Sequence, residues 1–290
     1  MNQVNSARPY RHPGAAFLSH YGTVQSEEDV YQYVEFLRQA AQLDDQPPID
    51  LSPIYLHFGI PTPLRVPLEE QQGILVDSRT GIILIKEDDP IVRQRFTEGH
   101  ELLELLFDGL DQSSPGTKLP AEIVQRKERL CDQGSADLLM PKSSFMPKVN
   151  ELGISLNTGR AIATLYQTSL IATLMRMVQY TTNDCALVMW RSALKPSEVK
   201  ALGNLDVRPH KKLRIWWRLQ SAGWTGGFIP KDKSVPSDSL IATVYDTGQS
   251  LSDRERMHLG SAVIDCYVEA LRLQMGESNC VLSLLHLLND

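Results

Sequence analysis

The chain has 290 residues, enough for two domains or for one domain with a substantial extension. At 42% hydrophobic and 22% charged it has the composition of an ordinary soluble protein, and 29 basic against 35 acidic residues (net charge −6) leave no global electrostatic case for nucleic-acid binding. The first 25 residues lack a signal-peptide core, no run approaches the ~18 apolar residues of a membrane span, and Cys131, Cys185, Cys266 and Cys280 form no C-x-x-C pair. A cytoplasmic chain with reduced thiols and no membrane partner is therefore expected, with a Cys266–Cys280 disulfide the less favoured alternative.

Residues 1–25 carry Pro9, Pro13, Gly14 and Gly22 and read as a flexible N-terminal arm. Ser26 followed by Glu27, Glu28 and Asp29 is a helix start, and Val30, Val34, Leu37 and Ala41 recur at helical spacing. After the break "DDQPPID", a short helix is expected over "LSPIYLHFG". The runs "GILVDS" and "GIILIKE", separated by "RTG", predict a hairpin. A long helix from about Asp89 to Phe107, a loop "DGLDQSSPGTKLP", and a helix from Ala121 towards Met140, stopped by Pro141, come next.

Between Leu156 and Tyr180 two helical segments meet at "YQTSL", in the outline of a helix-turn-helix. Arg160 and Arg176 are the only basic residues there, so the pair is expected to be a helical connector with no direct nucleic-acid contact. Strand-like runs follow at "CALVMWR", "KLRIWWRLQ", "CYVEALRLQ" and "CVLSLLHLL", the last two separated by "MGESN". A short helix is expected within "SDRERMHLGSAVIDC". Trp190, Trp216, Trp217 and Trp224 read as core or cleft-lining aromatics, and "RPHKK" (208–212) as a solvated loop.

The helix from residue 93, "RQRFTEGHELLEL", carries the chemistry. His100, Glu104 and Asp108 share one face, with Glu101 beside His100. Two side chains one turn apart can grip a metal ion while the neighbouring Glu takes a proton from the attacking water. The spacing taken alone favours an ordinary amphipathic helix with a half-buried histidine over a metal site.

The surrounding residues narrow that choice. "RQRFTEGHELLELLF" resembles the peptidase helix of the ImmA/IrrE metallopeptidases, Arg-x-Arg-Phe-Thr-x-x-His-Glu-x-x-His, with Glu104 in place of the last His. "ERLCDQGSADLLMP" (128–141) is similar to the family's second helix: Glu128 falls on the third metal ligand, Cys131 on a small residue and Asp132 on the usual Asn. The resemblance covers residues 50–180 and is looser beyond.

The resemblance implies an α+β chain: a zincin-like minimal metallopeptidase domain, a helix-turn-helix-like helical connector, and a C-terminal α+β (GAF-like) sensor domain. The expected bounds are 1–25 for the arm, 26–150, 151–182 and 183–290. It implies a divalent metal held by His100, Glu104 and Glu128, zinc by family and manganese by the harder oxygen-rich ligand set, with Glu101 as general base. It places an extended substrate segment on the hairpin's edge strand at Ile82, Ile83, Leu84 and Ile85. The implied function is site-specific endopeptidase cleavage of a helix-turn-helix repressor in a stress or mobile-element response. The alternative is an inactive member that binds a repressor or ligand without cleaving it.

Overall fold

A computed structural model describes residues 9–113, 121–201, 210–259 and 262–288. Of the loop expected over 108–120, residues 108–113 instead continue the long helix that ends at Ser113, and 114–120 lie outside the described residues, as do 208–209 at the start of the basic loop. The chain folds as two compact units. The first comprises residues up to Glu151 together with Ala161–Ala172, and the second Leu152–Arg160 with Thr173 onwards.

The first unit contains helices α1 (Pro13–Tyr21), α2 (Glu27–Ala41) and α3 (Ser52–Phe58), strands β1 (Leu64–Val66), β2 (Gly73–Asp77) and β3 (Ile82–Lys86), and helices α4 (Ile91–Ser113), α5 (Ala121–Leu139) and α6 (Lys142–Leu152). Helix α2 starts as its sequence dictates: the Asp29 carboxylate accepts from the Ser26 backbone N–H at 2.8 Å. Its residues Val30, Val34 and Leu37 are buried.

Two expectations need correction here. Residues 13–21 are not an arm but a docked helix: Phe17 is buried among Tyr21, Tyr33 and Phe36, and His12 meets Asp108 of α4 at 3.1 Å. Pro13 and Gly14 had signalled a loop, yet Pro stands at the first helical turn and Gly14 allows the close approach to Leu105. Strand β3 is not an edge. The sheet order is β1-β3-β2, so Ile82–Ile85 pair with β2 on one side, and Leu84 and Ile85 also pair in parallel with β1 on the other. The short strand β1, absent from the sequence reading, occupies the edge assigned to substrate; β2 forms the other.

Helices α4 and α5 cross closely, and small residues set that distance. A Cβ added to Gly99 would lie 2.4 Å from the Ser135 Oγ, and one on Gly134 would lie 2.7 Å from a Leu103 methyl. Ser135 donates to the Phe96 carbonyl at 2.7 Å across the same crossing. Close contact here brings the polar face of α5 onto the polar face of α4.

The remaining elements are α7 (Leu156–Tyr166), α8 (Leu170–Tyr180), β4 (Cys185–Ala193), α9 (Pro196–Ala201), β5 (Lys212–Gln220), α10 (Leu240–Thr247), β6 (Leu251–Leu259), β7 (Ala262–Met275) and β8 (Ser278–Leu287). The five strands make one antiparallel sheet in the order β5-β4-β8-β7-β6. One face packs Val188, Trp190, Ile215, Val268 and Val281 with Ile241 and Val244 of α10. Trp190 donates to the Ser283 Oγ at 2.8 Å.

The helix expected within "SDRERMHLGSAVIDC" is instead β6 and the start of β7. Their residues pair from Leu251↔Ala270 to Leu259↔Ala262, and Arg256 bonds Asp265 across the pair at 3.1 Å. Pairing with β7 overrides the helical preference of this charged run. All four cysteines are buried free thiols. Cys280 pairs with Leu273 in the β7–β8 register, seven residues from Cys266, so the hairpin does not bring those two together. In α8, Arg176 is buried and stacks on Tyr180 at 4.8 Å, which removes one of the two basic residues of the connector from any phosphate contact.

Candidate metal centre

His100 is the hub. Its Nε2 lies 3.7 Å from a carboxylate oxygen of Glu104, one turn along α4, and 3.7 Å from an oxygen of Glu128 on α5. Its Nδ1 bonds the Asp132 carboxylate at 2.9 Å. A carboxylate on one ring nitrogen fixes the ring's orientation and leaves the other nitrogen for a ligand. Bonds of about 2 Å to zinc place tetrahedral ligand atoms roughly 3.3–3.7 Å apart, so these separations suit a shared ion. Of the three residues named from sequence as metal ligands, Glu104 and Glu128 thus each approach the same His100 nitrogen.

Two further side chains enter. The ammonium of Lys127 forms an ion pair with Glu104 Oε2, leaving Oε1 towards His100. The Cys131 Sγ donates to that same Oε1 at 3.7 Å, and His100, Glu104 and Cys131 offer ligand atoms all within 4.8 Å of one another. Burial pushes the Cys131 thiol up, and the Glu104 charge adds to it, so the sulfur is protonated while no ion is bound.

The electrostatics follow from close packing. Burial lowers the affinity of His100 for a proton, but hydrogen bonds to Asp132 and Glu104 outweigh it and push the pKa up to about 10. Burial raises the Glu104 carboxyl, and the contacts with His100 and Lys127 more than reverse this, holding it low. Two carboxylates alone would neutralise a divalent ion. Lys127 returns one positive charge, giving the set the same balance as two imidazoles and one carboxylate.

Glu101 stands beside the hub. Burial pushes its carboxyl up to about 7, with His100 opposing and Glu104 reinforcing the shift. A base near neutrality can both accept and return a proton. Strand β2 closes this side: Leu75 makes a backbone hydrogen bond to Glu101, and a Cβ on Gly73 would lie 2.9 Å from the Glu101 Oε1 and 2.3 Å from the Thr97 methyl. His100, Glu101, Glu104, Lys127 and Glu128 line one cleft with Gly73 and Leu75. Residues Ile82–Ile85 do not line it; Ile83 and Ile85 are core.

Sequence reasoning aligned Cys131 and Asp132 with family positions without giving either a role at the metal, and assigned no part to Lys127 or Gly73. The signal available was helical spacing: Lys127 and Cys131 are four residues apart, as are Glu128 and Asp132, so each pair shares a face of α5. Which face meets α4 is set by the crossing, and spacing alone does not reveal it.

Residues 58–178 match the family model described as IrrE N-terminal-like domain (Peptidase_M78), within the stretch where the resemblance was placed. No curated protein matches the chain significantly. Among solved structures, a Mycobacterium tuberculosis transcriptional regulator shares the fold with a TM-score of 0.52 at 12% identity, over 96% of this chain and 89% of that one. No single described helix is long and apolar enough to cross a membrane.

Proposed function

Residues 58–178 match the IrrE N-terminal-like peptidase family model, and from that premise we propose that the chain is a metal-dependent endopeptidase that makes one specific cut in a helix-turn-helix repressor. The observation that carries the reading is the convergence of His100 Nε2 with the carboxylates of Glu104 and Glu128 at 3.7 Å, under a His100–Asp132 bond of 2.9 Å. His100, Glu104 and Glu128 would hold the ion, with zinc as the expected metal. When bound, a divalent ion polarises the scissile carbonyl and acidifies water.

The protein's own groups account for the rest. The free edge of β2 can add an extended peptide as a further strand, holding its backbone beside Gly73 and Leu75. Glu101 takes the proton of the attacking water and delivers it to the departing amine. Asp132 keeps the His100 ring in place. The structural relative is a transcriptional regulator, which fits a repressor substrate, and the C-terminal sheet unit would then receive the signal.

Co-expression with the helix-turn-helix protein encoded nearest in the genome tests this reading. One discrete cut is expected, abolished by Glu101→Gln in a chain that still folds. One observation favours a second reading, an inactive regulator. Lys127 already neutralises Glu104, so the cluster is satisfied without an ion. Tight repressor binding with no cut, from a chain purified without metal that takes up none on titration, would establish that alternative.

A further inference from the structure

We propose that Cys131 is a metal ligand, the sulfur donor that completes a His100/Glu104/Cys131 centre, with Glu128 as its exposed and exchangeable fourth arm. This rests on the reading that the cleft holds a divalent ion. Its geometric basis is the mutual approach of the three donors within 4.8 Å, with the sulfur 3.7 Å from the Glu104 oxygen that faces His100.

Burial ranks the two donors of α5. Cys131 is held in the helix interface with no exposure, whereas the Glu128 side chain is 81% exposed. A short, already ordered side chain loses little conformational entropy on ligation, while a long exposed one loses more. Glu128 is therefore the donor that yields to water or substrate, leaving the open position that a catalytic site needs.

The donor chemistry points the same way. Two carboxylates and one imidazole favour harder ions, but a thiolate is soft and restores the preference for zinc. On ligation the S–H bond breaks, a sulfur–metal bond forms, and the proton leaves to solvent. Two carboxylates, one thiolate, the Lys127 ammonium and a divalent ion then sum to zero charge, which suits a half-buried cleft. Without Lys127 the same set would carry an unbalanced negative charge.

Cobalt(II) reports sulfur ligation directly, without any substrate. Titrating it into the metal-free full chain should raise a near-ultraviolet thiolate-to-cobalt charge-transfer band together with the visible bands of bound cobalt. Cys131→Ser should lose the first and keep the second, while Glu128→Gln should keep both. Zinc should displace the cobalt, and manganese at equal concentration should not. Visible bands without charge transfer in the native chain would overturn the proposal while leaving the metal reading intact. Charge transfer that survives in Cys131→Ser would overturn it too. No cobalt binding at all would overturn both. If Cys131→Ser fails to fold, the native and Glu128→Gln spectra still decide.

Discussion

Raising the pH from about 6 to about 8 should tighten zinc binding to the metal-free chain by at least a factor of about one hundred. His100 is held as an imidazolium by Asp132 and Glu104, with a pKa pushed up to about 10 despite its burial. An imidazolium has no lone pair for a metal, so the ion must displace one proton. Below that pKa each pH unit weakens apparent affinity tenfold, and two units correspond to about 2.7 kcal/mol. A thiolate from Cys131 releases a second proton and steepens the dependence further. The assay is competition against a chromophoric chelator, corrected for the chelator's own protonation, on the native chain and on Asp132→Asn. Losing the 2.9 Å bond to Asp132 lowers the His100 pKa, so the variant's dependence should flatten first at the alkaline end. Affinity that is independent of pH across this range in the native chain would refute both the protonated hub and the ligand role of His100.

The metal-free chain should itself lose stability as pH rises. Glu101 is raised from 4.5 to about 7 and His100 from 6.5 to about 10, so the folded state binds more protons than the unfolded one. The Glu101 share should be lost between about pH 4.5 and 7, and the His100 share between about pH 6.5 and 10, in thermal melts. Gly73→Ala should destabilise by about 1–3 kcal/mol and disturb Glu101, because the new Cβ meets the Thr97 methyl at 2.3 Å; a variant as stable and as active as native would contradict the packing of β2 on α4. Gly14→Ala should destabilise by a similar amount of about 1–3 kcal/mol, since its Cβ would lie 2.1 Å from the Leu105 carbonyl oxygen, and an unchanged melt would return residues 13–21 to an arm. Trp190→Phe should lose about 1–3 kcal/mol in chemical denaturation by leaving the buried Ser283 hydroxyl without its indole donor.

Much of the architecture is local and therefore legible in the residues. The Ser26–Asp29 start of α2, the turn between β2 and β3, and the long periodic faces of α4 and α5 depend on neighbours a few positions away. So does the pairing of His100 with Glu104, one helical turn apart. The same sequence placed Glu128 by family resemblance, because nothing local ties it to His100.

Tertiary structure decided what depends on contacts distant in the chain. Whether β3 is an edge depended on β1, three residues too short to announce themselves, pairing in parallel with it. The fate of residues 13–21 depended on a groove in α4 that admits Gly14, and the state of β6 on a partner strand that outweighed its helical look. Above all, the roles open to Lys127, Cys131 and Asp132 depended on how closely two helices cross at Gly99, Gly134 and Ser135. Helical periodicity states which side chains share a face, but a partner's backbone must approach before that face acquires a charge balance and a set of ligands.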